Sequence, residues 1–410
     1  MLIKKRKPNL RFTDFKEDWV FKKLGDVGAL ISGLTYSPKD IGSNGVLVLR
    51  SSNVQKGVLV FDDNVYVNSV KYNPVFENDI LICVRNGSKN LIGKNALITK
   101  EAEGFAFGAF MTVFRSDLNR FVFQLLATNS YFRIIYQNLG ATINSINGSD
   151  LKKFIFFFPK EKQEQQKIAN FLTSIDNRIQ TLVKKKTLLE QYKKGVMQKV
   201  FKQELRFKDD TSTTLSASDG KEFPEWEEKK LGDFLIERNI KKPKNKDYPL
   251  MSFVAHKGVT PKGERYNREF LVNNTNSKKY KQTEFSDFIY SSNNLETGSI
   301  GLNLYGSACI SPVYSIFQIR KSSEYRFMNS YLKRKSFINK MLRFRQGVVY
   351  GQWKIHESDF LKIEEKFPSL MEQTKIANFL IAIDKNIALV TKKVEHTKTY
   401  KKGLLQQMFV

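Results

Sequence analysis

Two stretches of the chain place apolar residues at alternating steps of four and three. The first runs through Ile168, Leu172, Ile175, Ile179 and Leu182, then Leu189 and Val196. The second runs through Ile376, Leu380, Ile383, Ile387 and Val390, then Val394 and Leu404. That spacing is the seam of a coiled coil, and it predicts two long helices able to pair with each other. Lys186, Lys193 and Lys401 interrupt the seam. Glu164 and Glu372 fall in the first turns, where the helix dipole favours acids, and Pro159 and Pro368 punctuate the entries. Gly195 and Gly403 weaken each helix near its end. A helix of about 38 residues would be roughly 57 Å long.

Outside these stretches the pattern shortens. Val46–Leu49, 79–84 and 154–158 read as β-strands, and 121–139 and 325–344 as one helical stretch late in each half. Residues 208–221 are polar, rich in Ser and Thr, and read as a linker. The expected fold class is α+β, with mixed α/β globular domains joined to long helices.

The two seams belong to an internal duplication. Residues 164–176 read EQQKIANFLTSID and 372–384 read EQTKIANFLIAID; 19 of the 38 positions from 164 to 201 are identical at an offset of 208. Trp19…Leu24-Gly25-Asp26 matches Trp226…Leu231-Gly232-Asp233. Tyr72 and Asp79 match Tyr280 and Asp287, and Ser149-Asp150 matches Ser358-Asp359. The helices are near copies, while the globular segments agree only at framework points. One part does a shared job twice, and the other does two different jobs. The expected boundaries are a first globular domain at 1–158, a first spacer helix at 159–204, a linker and start of the second repeat at 205–226, a second globular domain at 227–366 and a second spacer helix at 367–410.

Charge narrows the partners. Lys and Arg number 68 against 41 acids, a net charge of +27, which attracts polyanions. Nucleic acid leads an anionic membrane surface or acidic proteins. No apolar run of signal-peptide or membrane-spanning length appears, and two isolated cysteines, Cys83 and Cys309, make no disulfide framework. These observations point to the cytoplasm.

Apparent catalytic motifs fail on their spacing. Gly87…Gly93-Lys94-Asn95 has five residues between its glycines and Asn where a phosphate loop needs Ser or Thr. Asn73-Pro74-Val75-Phe76 lacks the second Pro of an adenine methyltransferase loop, and Glu227-x-Lys229 lacks a nuclease partner. His256, His356 and His396 are scattered without metal-ligand spacing. Neither catalysis nor a metal site is expected in this chain.

The doubled Trp-x4-Leu-Gly-Asp, the doubled Ser-Asp-(Leu/Phe) and the Glu-Gln-x-Lys-Ile-Ala-Asn-Phe-Leu helix starts, together with Glu77-Asn78-Asp79-Ile80-Leu81-Ile82, give the chain an order. That order resembles the specificity subunit of type I restriction–modification systems over nearly its whole length. The resemblance implies two target-recognition domains related by pseudo-twofold symmetry, each reading one half of a bipartite double-stranded DNA site. Two long antiparallel coiled-coil helices would separate them as a spacer. It also implies two docked methyltransferase subunits carrying S-adenosylmethionine, and restriction (translocase) subunits using ATP and Mg²⁺, with no cofactor on this chain. A nonspecific nucleic-acid-binding protein and a coiled-coil scaffold stay open as alternatives.

Base readers are expected where the halves align but differ chemically. Arg, Asn and Gln suit bidentate contacts to bases, while Lys and Ser often hold phosphates. In the first half the candidates are Arg50, Ser52, Asn53, Gln55 and Lys56, then Arg85, Asn86, Ser88, Lys89 and Asn90, then Asn144, Ser145 and Asn147. In the second half they are His256 and Lys257, then Ser292, Asn293 and Asn294, then Gln352, Trp353, Lys354 and His356. Helix pairing and partner docking are expected from Ile168, Leu172, Ile175, Ile179, Leu182, Ile376, Leu380, Ile383, Ile387 and Val390.

Overall fold

The structure is a computed structural model, and it describes residues 7–68, 71–139, 144–209, 221–262, 278–348 and 352–410. It divides into two compact units, Met1–Lys186 with Leu389–Val410, and Thr187–Ala388. Both divisions fall inside long helices, Lys162–Phe201 and Leu370–Met408. Each unit therefore contains a globular part, the beginning of one long helix and the end of the other.

The two globular parts share a four-stranded antiparallel sheet. In the first unit Met111–Arg115 lies between Ala29–Ser32 and Ile80–Cys83, and Asn95–Leu97 completes the order. In the second, Ser315–Ile319 lies between Leu235–Glu237 and Phe288–Tyr290, with Ile300–Leu302 outermost. Ile80–Cys83 and Phe288–Tyr290 are buried at every position, as expected of strands covered on both faces. The second sheets differ. One has Ala106–Phe107, Val46–Leu49, Tyr66–Val67 and Ile41–Gly42 with one parallel pair; the other has Lys241–Pro243, Lys279–Thr283 and Ala308–Ile310, all antiparallel.

The Leu-Gly-Asp motif is a clasp. Val20–Lys23 pairs with Ile155–Phe158, the strand that leads into the first long helix. Asp26 Oδ2 then accepts from Lys23 N at 3.1 Å, and a Cβ on Gly25 would meet the Lys152 side chain at 3.0 Å. The second copy repeats this: Glu227–Lys230 pairs with Glu364–Phe367, and Asp233 Oδ2 accepts from Lys230 N at 3.0 Å. The motif thus closes each globular part onto its helix entry.

The helical stretch late in each half is two helices rather than one. Asn119–Leu125 is followed by Asn129–Asn138, whose start is capped by Thr128 Oγ1 accepting from Tyr131 N. Tyr325–Leu332 is followed by Lys335–Leu342. Apolar periodicity carries through both breaks; in the first half the Thr128 side chain caps a new start, whereas in the second Arg334 caps nothing and its Nε donates back to Tyr331 O at 2.7 Å. Among the described residues no helix is long and apolar enough to cross a membrane.

Candidate nucleic-acid interface

The helix entries are anchored by a buried carboxylate in each unit. Glu164 is fully enclosed; it accepts from Arg11 Nε and Nη2, both at 2.7 Å, and from Trp19 Nε1 at 3.2 Å. Glu372 accepts from Arg206 Nε at 3.3 Å and Nη2 at 3.0 Å, and from Trp226 Nε1 at 3.2 Å. Donating to the carboxylate raises the pKa of each arginine. The helix dipole alone did not reveal this. Leu10-Arg11-Phe12 and Leu205-Arg206-Phe207 are the signal that was available in the chain.

Further along the helices, two of the lysines that break the seam are cross-helix partners. Lys401 Nζ bonds both oxygens of Asp176 at 2.6 and 2.7 Å in the first unit, and Lys193 Nζ bonds Asp384 at the same two distances in the second. The pairs are copies of one another at an offset of 208, and they require antiparallel helices. Ile168, Leu172 and Ile175 pack in one core with Trp19, Leu404, Met408 and Phe409. Ile376 and Leu380 pack in another with Val196, Phe201 and Trp226. Ile383 and Val390 are buried, and Ile179, Leu182 and Ile387 half-buried.

In the first unit the three expected polar segments meet. Arg85 pairs with Ser145 in an antiparallel bridge, Asn86 N donates to Asn144 O at 3.2 Å, and Asn144 Nδ2 donates to Gly87 O at 2.9 Å. Asn86 Nδ2 donates to Ser51 Oγ at 2.9 Å, and Lys94 Nζ holds the carbonyls of Ser51 and Val54. Burial keeps the Lys94 pKa below its usual range and pushes the Cys83 thiol up. Gln55 and Lys56 lie at a hairpin turn in which Lys56 and Gly57 both have positive φ, the geometry of a type I′ turn. Gln55, Lys56, Arg85, Ser88, Lys89, Asn90 and Asn147 are exposed; Arg50, Ser52, Asn86, Asn144 and Ser145 are half-buried. Asn53 is buried. It accepts from Arg50 N at 2.9 Å and donates to Val60 O at 3.0 Å, so it shapes the turn and offers no edge to a ligand.

The second unit assembles its own three segments. Asn293 Oδ1 accepts from Trp353 N at 2.6 Å, and Ser292 Oγ accepts from Ile355 N at 3.0 Å, which leaves buried Ser292 committed to the fold. His256 N donates to Gly298 O at 3.1 Å, and its ring lies where a Gly298 side chain would go, a Cβ falling 2.1 Å from the ring. His256, Lys257, Asn293, Asn294, Gln352, Trp353, Lys354 and His356 are exposed. Lys354 stands 3.9 Å from Glu357. His356 and Asn147 occupy equivalent places, each flanking the start of a short helix.

Arg345 was not expected. It opens the hairpin formed by Gln346–Val348 and Gln352–Lys354, and its Nη1 meets Glu296 Oε2 at 3.0 Å. Among the described residues its Nε and Nη2, like Arg50 Nε and Ser52 Oγ in the first unit, are enclosed and meet no hydrogen-bond partner. Buried donors are ordinarily paired, so each unit keeps unsatisfied donors within its polar cluster.

Comparison with known proteins places this arrangement. The family described as the type I restriction modification DNA specificity domain matches residues 16–191 and again 224–397. The chain is 25% identical over 412 residues to the MjaX type I restriction enzyme specificity subunit of Methanocaldococcus jannaschii, covering 96% of this chain and 93% of that protein. It is 25% identical over 197 residues to the EcoKI specificity subunit of Escherichia coli K12, across 44% and 42% of the two chains. In fold it is similar to the type I restriction–modification S subunit from M. genitalium, with a TM-score of 0.61 at 17% identity over 98% and 99% of the two chains. It is also similar to a chain from a study of type I system assembly and conformational transition, with a TM-score of 0.53 at 15% identity over 95% and 97%.

Proposed function

We propose, for a chain that belongs to the type I restriction–modification DNA specificity family, that each unit reads one half of a bipartite double-stranded DNA target. One observation carries this reading. In each unit three polar segments distant in sequence converge on a shared sheet, yet the residues they present differ. A common scaffold with unlike polar surfaces suits two unlike half-sites. Amide and guanidinium groups there would read base edges, and Lys56, Lys89 and Lys257 would hold phosphates.

The paired helices would set the distance between half-sites and dock two methyltransferase subunits. Exposed Lys184, Lys185 and Tyr192 recur as exposed Lys392, Lys393 and Tyr400, although packing does not demand their identity. Equivalent exposed surfaces suit two copies of one partner. S-adenosylmethionine would be carried by those subunits, and ATP and Mg²⁺ by restriction subunits, in a cytoplasmic complex. The test is methylome mapping of cells that express this chain with its methyltransferase, followed by exchange of residues 20–158 for another domain of the family. One half-site is expected to change. A change in both, or methylation without a split motif, would overturn the reading.

A further inference from the structure

Phe110 sits in the connection between Ala106–Phe107 and Met111–Arg115, and 57% of it is exposed. Its backbone is fixed. The Phe110 carbonyl accepts from Val84 N at 3.0 Å and from Arg85 N at 3.2 Å, and the next residue, Met111, is buried. The Arg85 guanidinium stands 5.5 Å from the ring centroid. The Phe110 backbone is therefore tied to the loop that Ser145, Asn144 and Ser51 join to the polar cluster.

The second unit treats the same place differently. Thr112 pairs with Ile82, and Ser315 pairs with Tyr290 in the equivalent sheet, so Val313, which is 64% exposed and carries no ring, holds the position of Phe110. The next residue, Tyr314, is the counterpart of Met111 and is folded down; its ring lies 5.2 Å from Phe253, and its hydroxyl donates to Phe253 O at 3.3 Å. The exposed ring of that cluster is instead Trp353, 49% exposed on its hairpin. Each unit thus presents one ring among amide and basic side chains, but from a different loop.

We propose that Phe110 is a specificity-determining residue of the first unit, making the apolar contact to the bases of its half-site beside Arg85. This rests on the DNA-reading function above. Apolar side chains recognise the thymine methyl group or wedge between base pairs, and a ring carried on a fixed backbone has less freedom to lose in doing so. The neighbours of the ring favour DNA over an apolar protein partner: exposed Arg85 suits base edges, its loop carries exposed Lys89 and Asn90, and the chain carries a net charge of +27.

The experiment compares the full-length chain with Phe110→Ala and Phe110→Leu, each expressed with the methyltransferase, by methylome mapping and thermal melting. Phe110→Ala is expected to keep the melting temperature and the second half-site. It should lower discrimination at one position of the first half-site by roughly tenfold or more, as a lost base contact does, and Phe110→Leu should lie between. A duplex carrying 2-aminopurine at that position then separates the modes: a fluorescence rise with the unsubstituted chain and none with Phe110→Ala marks a wedge, and no rise with either marks a methyl contact. Three outcomes overturn the proposal: an unchanged motif at unchanged levels, equal loss at both half-sites with a lower melting temperature, or loss of methyltransferase binding with the motif intact. Absence of any split motif from the unsubstituted chain is a different result, because it removes the DNA-reading function itself.

Discussion

Lys193 Nζ donates to both carboxylate oxygens of Asp384, at 2.6 and 2.7 Å. The same contact recurs between Lys401 and Asp176, with more of both side chains enclosed. Since exposed ion pairs contribute about 0.2–1 kcal/mol, Lys193→Ala and Asp384→Ala should each cost little. The Lys401–Asp176 pair should cost more. A double-mutant cycle by denaturant titration measures both couplings, and equal couplings at the two sites would contradict the difference in burial.

Glu164 and Glu372 are the sensitive positions. Glu164→Ala would leave half-buried Arg11 without its carboxylate and buried Trp19 Nε1 without an acceptor. Removing one partner of a buried pair costs about 3–5 kcal/mol, whereas Glu164→Gln retains an acceptor and should cost less. Hydrogen exchange in residues 19–27 reads the loss, and exchange at wild-type rates would refute it.

Phe409 packs on Trp19 and Phe121, with ring centroids at 6.1 and 5.5 Å. Phe409→Ala should destabilise the first unit by about 3–5 kcal/mol, as large-to-small changes in aromatic cores do. Phe201→Ala should do the same to the second unit, where Phe201 meets Phe327 and Tyr331. Exchange rates mapped along the chain should rise mainly in the unit that holds the substituted ring.

Arg345 and Lys89 should separate base reading from phosphate holding. Arg345→Ala is expected to relax the second half-site at one position by about 1–3 kcal/mol, with the first half-site intact. Lys89→Ala should weaken binding to all sequences alike and lower the salt slope by about one. Binding isotherms across a salt series, on matched and mismatched duplexes, distinguish them.

Gly298 has φ +87°, and a Cβ there would strike the His256 ring. Gly298→Ala should displace His256 and cost more than the usual penalty of roughly 1 kcal/mol for moving glycine to alanine in a left-handed position. Thermal melting checks the cost, and methylome mapping should show its effect in the second half-site.

Duplication made much of this fold legible. The paired helices, the Leu-Gly-Asp clasp and the alignment of three polar segments follow from repeated residues, and the structure joins those segments as neighbours. What stayed hidden depends on pairing. Lys193 and Lys401 read as faults because a seam scan registers apolarity and not the carboxylate opposite. The Leu-Arg-Phe tripeptides were obscured because eight residues separate Arg11 from Trp19 but twenty separate Arg206 from Trp226, which breaks the common offset. Asn53 and Ser292 look like readers by residue type, but only the fold shows their polar atoms turned inward. Phe110 is a single apolar residue in a polar neighbourhood and leaves no periodic trace.

The first unit is assembled from both ends of the chain, since its core takes in Leu404, Leu405, Met408 and Phe409, while the second is the uninterrupted span Thr187–Ala388. Order of synthesis and order of completion are therefore reversed. During translation the later unit has all its residues first, and the earlier one waits with Trp19 uncovered until the ribosome has passed residue 409. A message truncated inside the last helix, after Ala388 and before Leu404, would yield a closed second unit and an open first one, a product marked for quality control at its amino-terminal half.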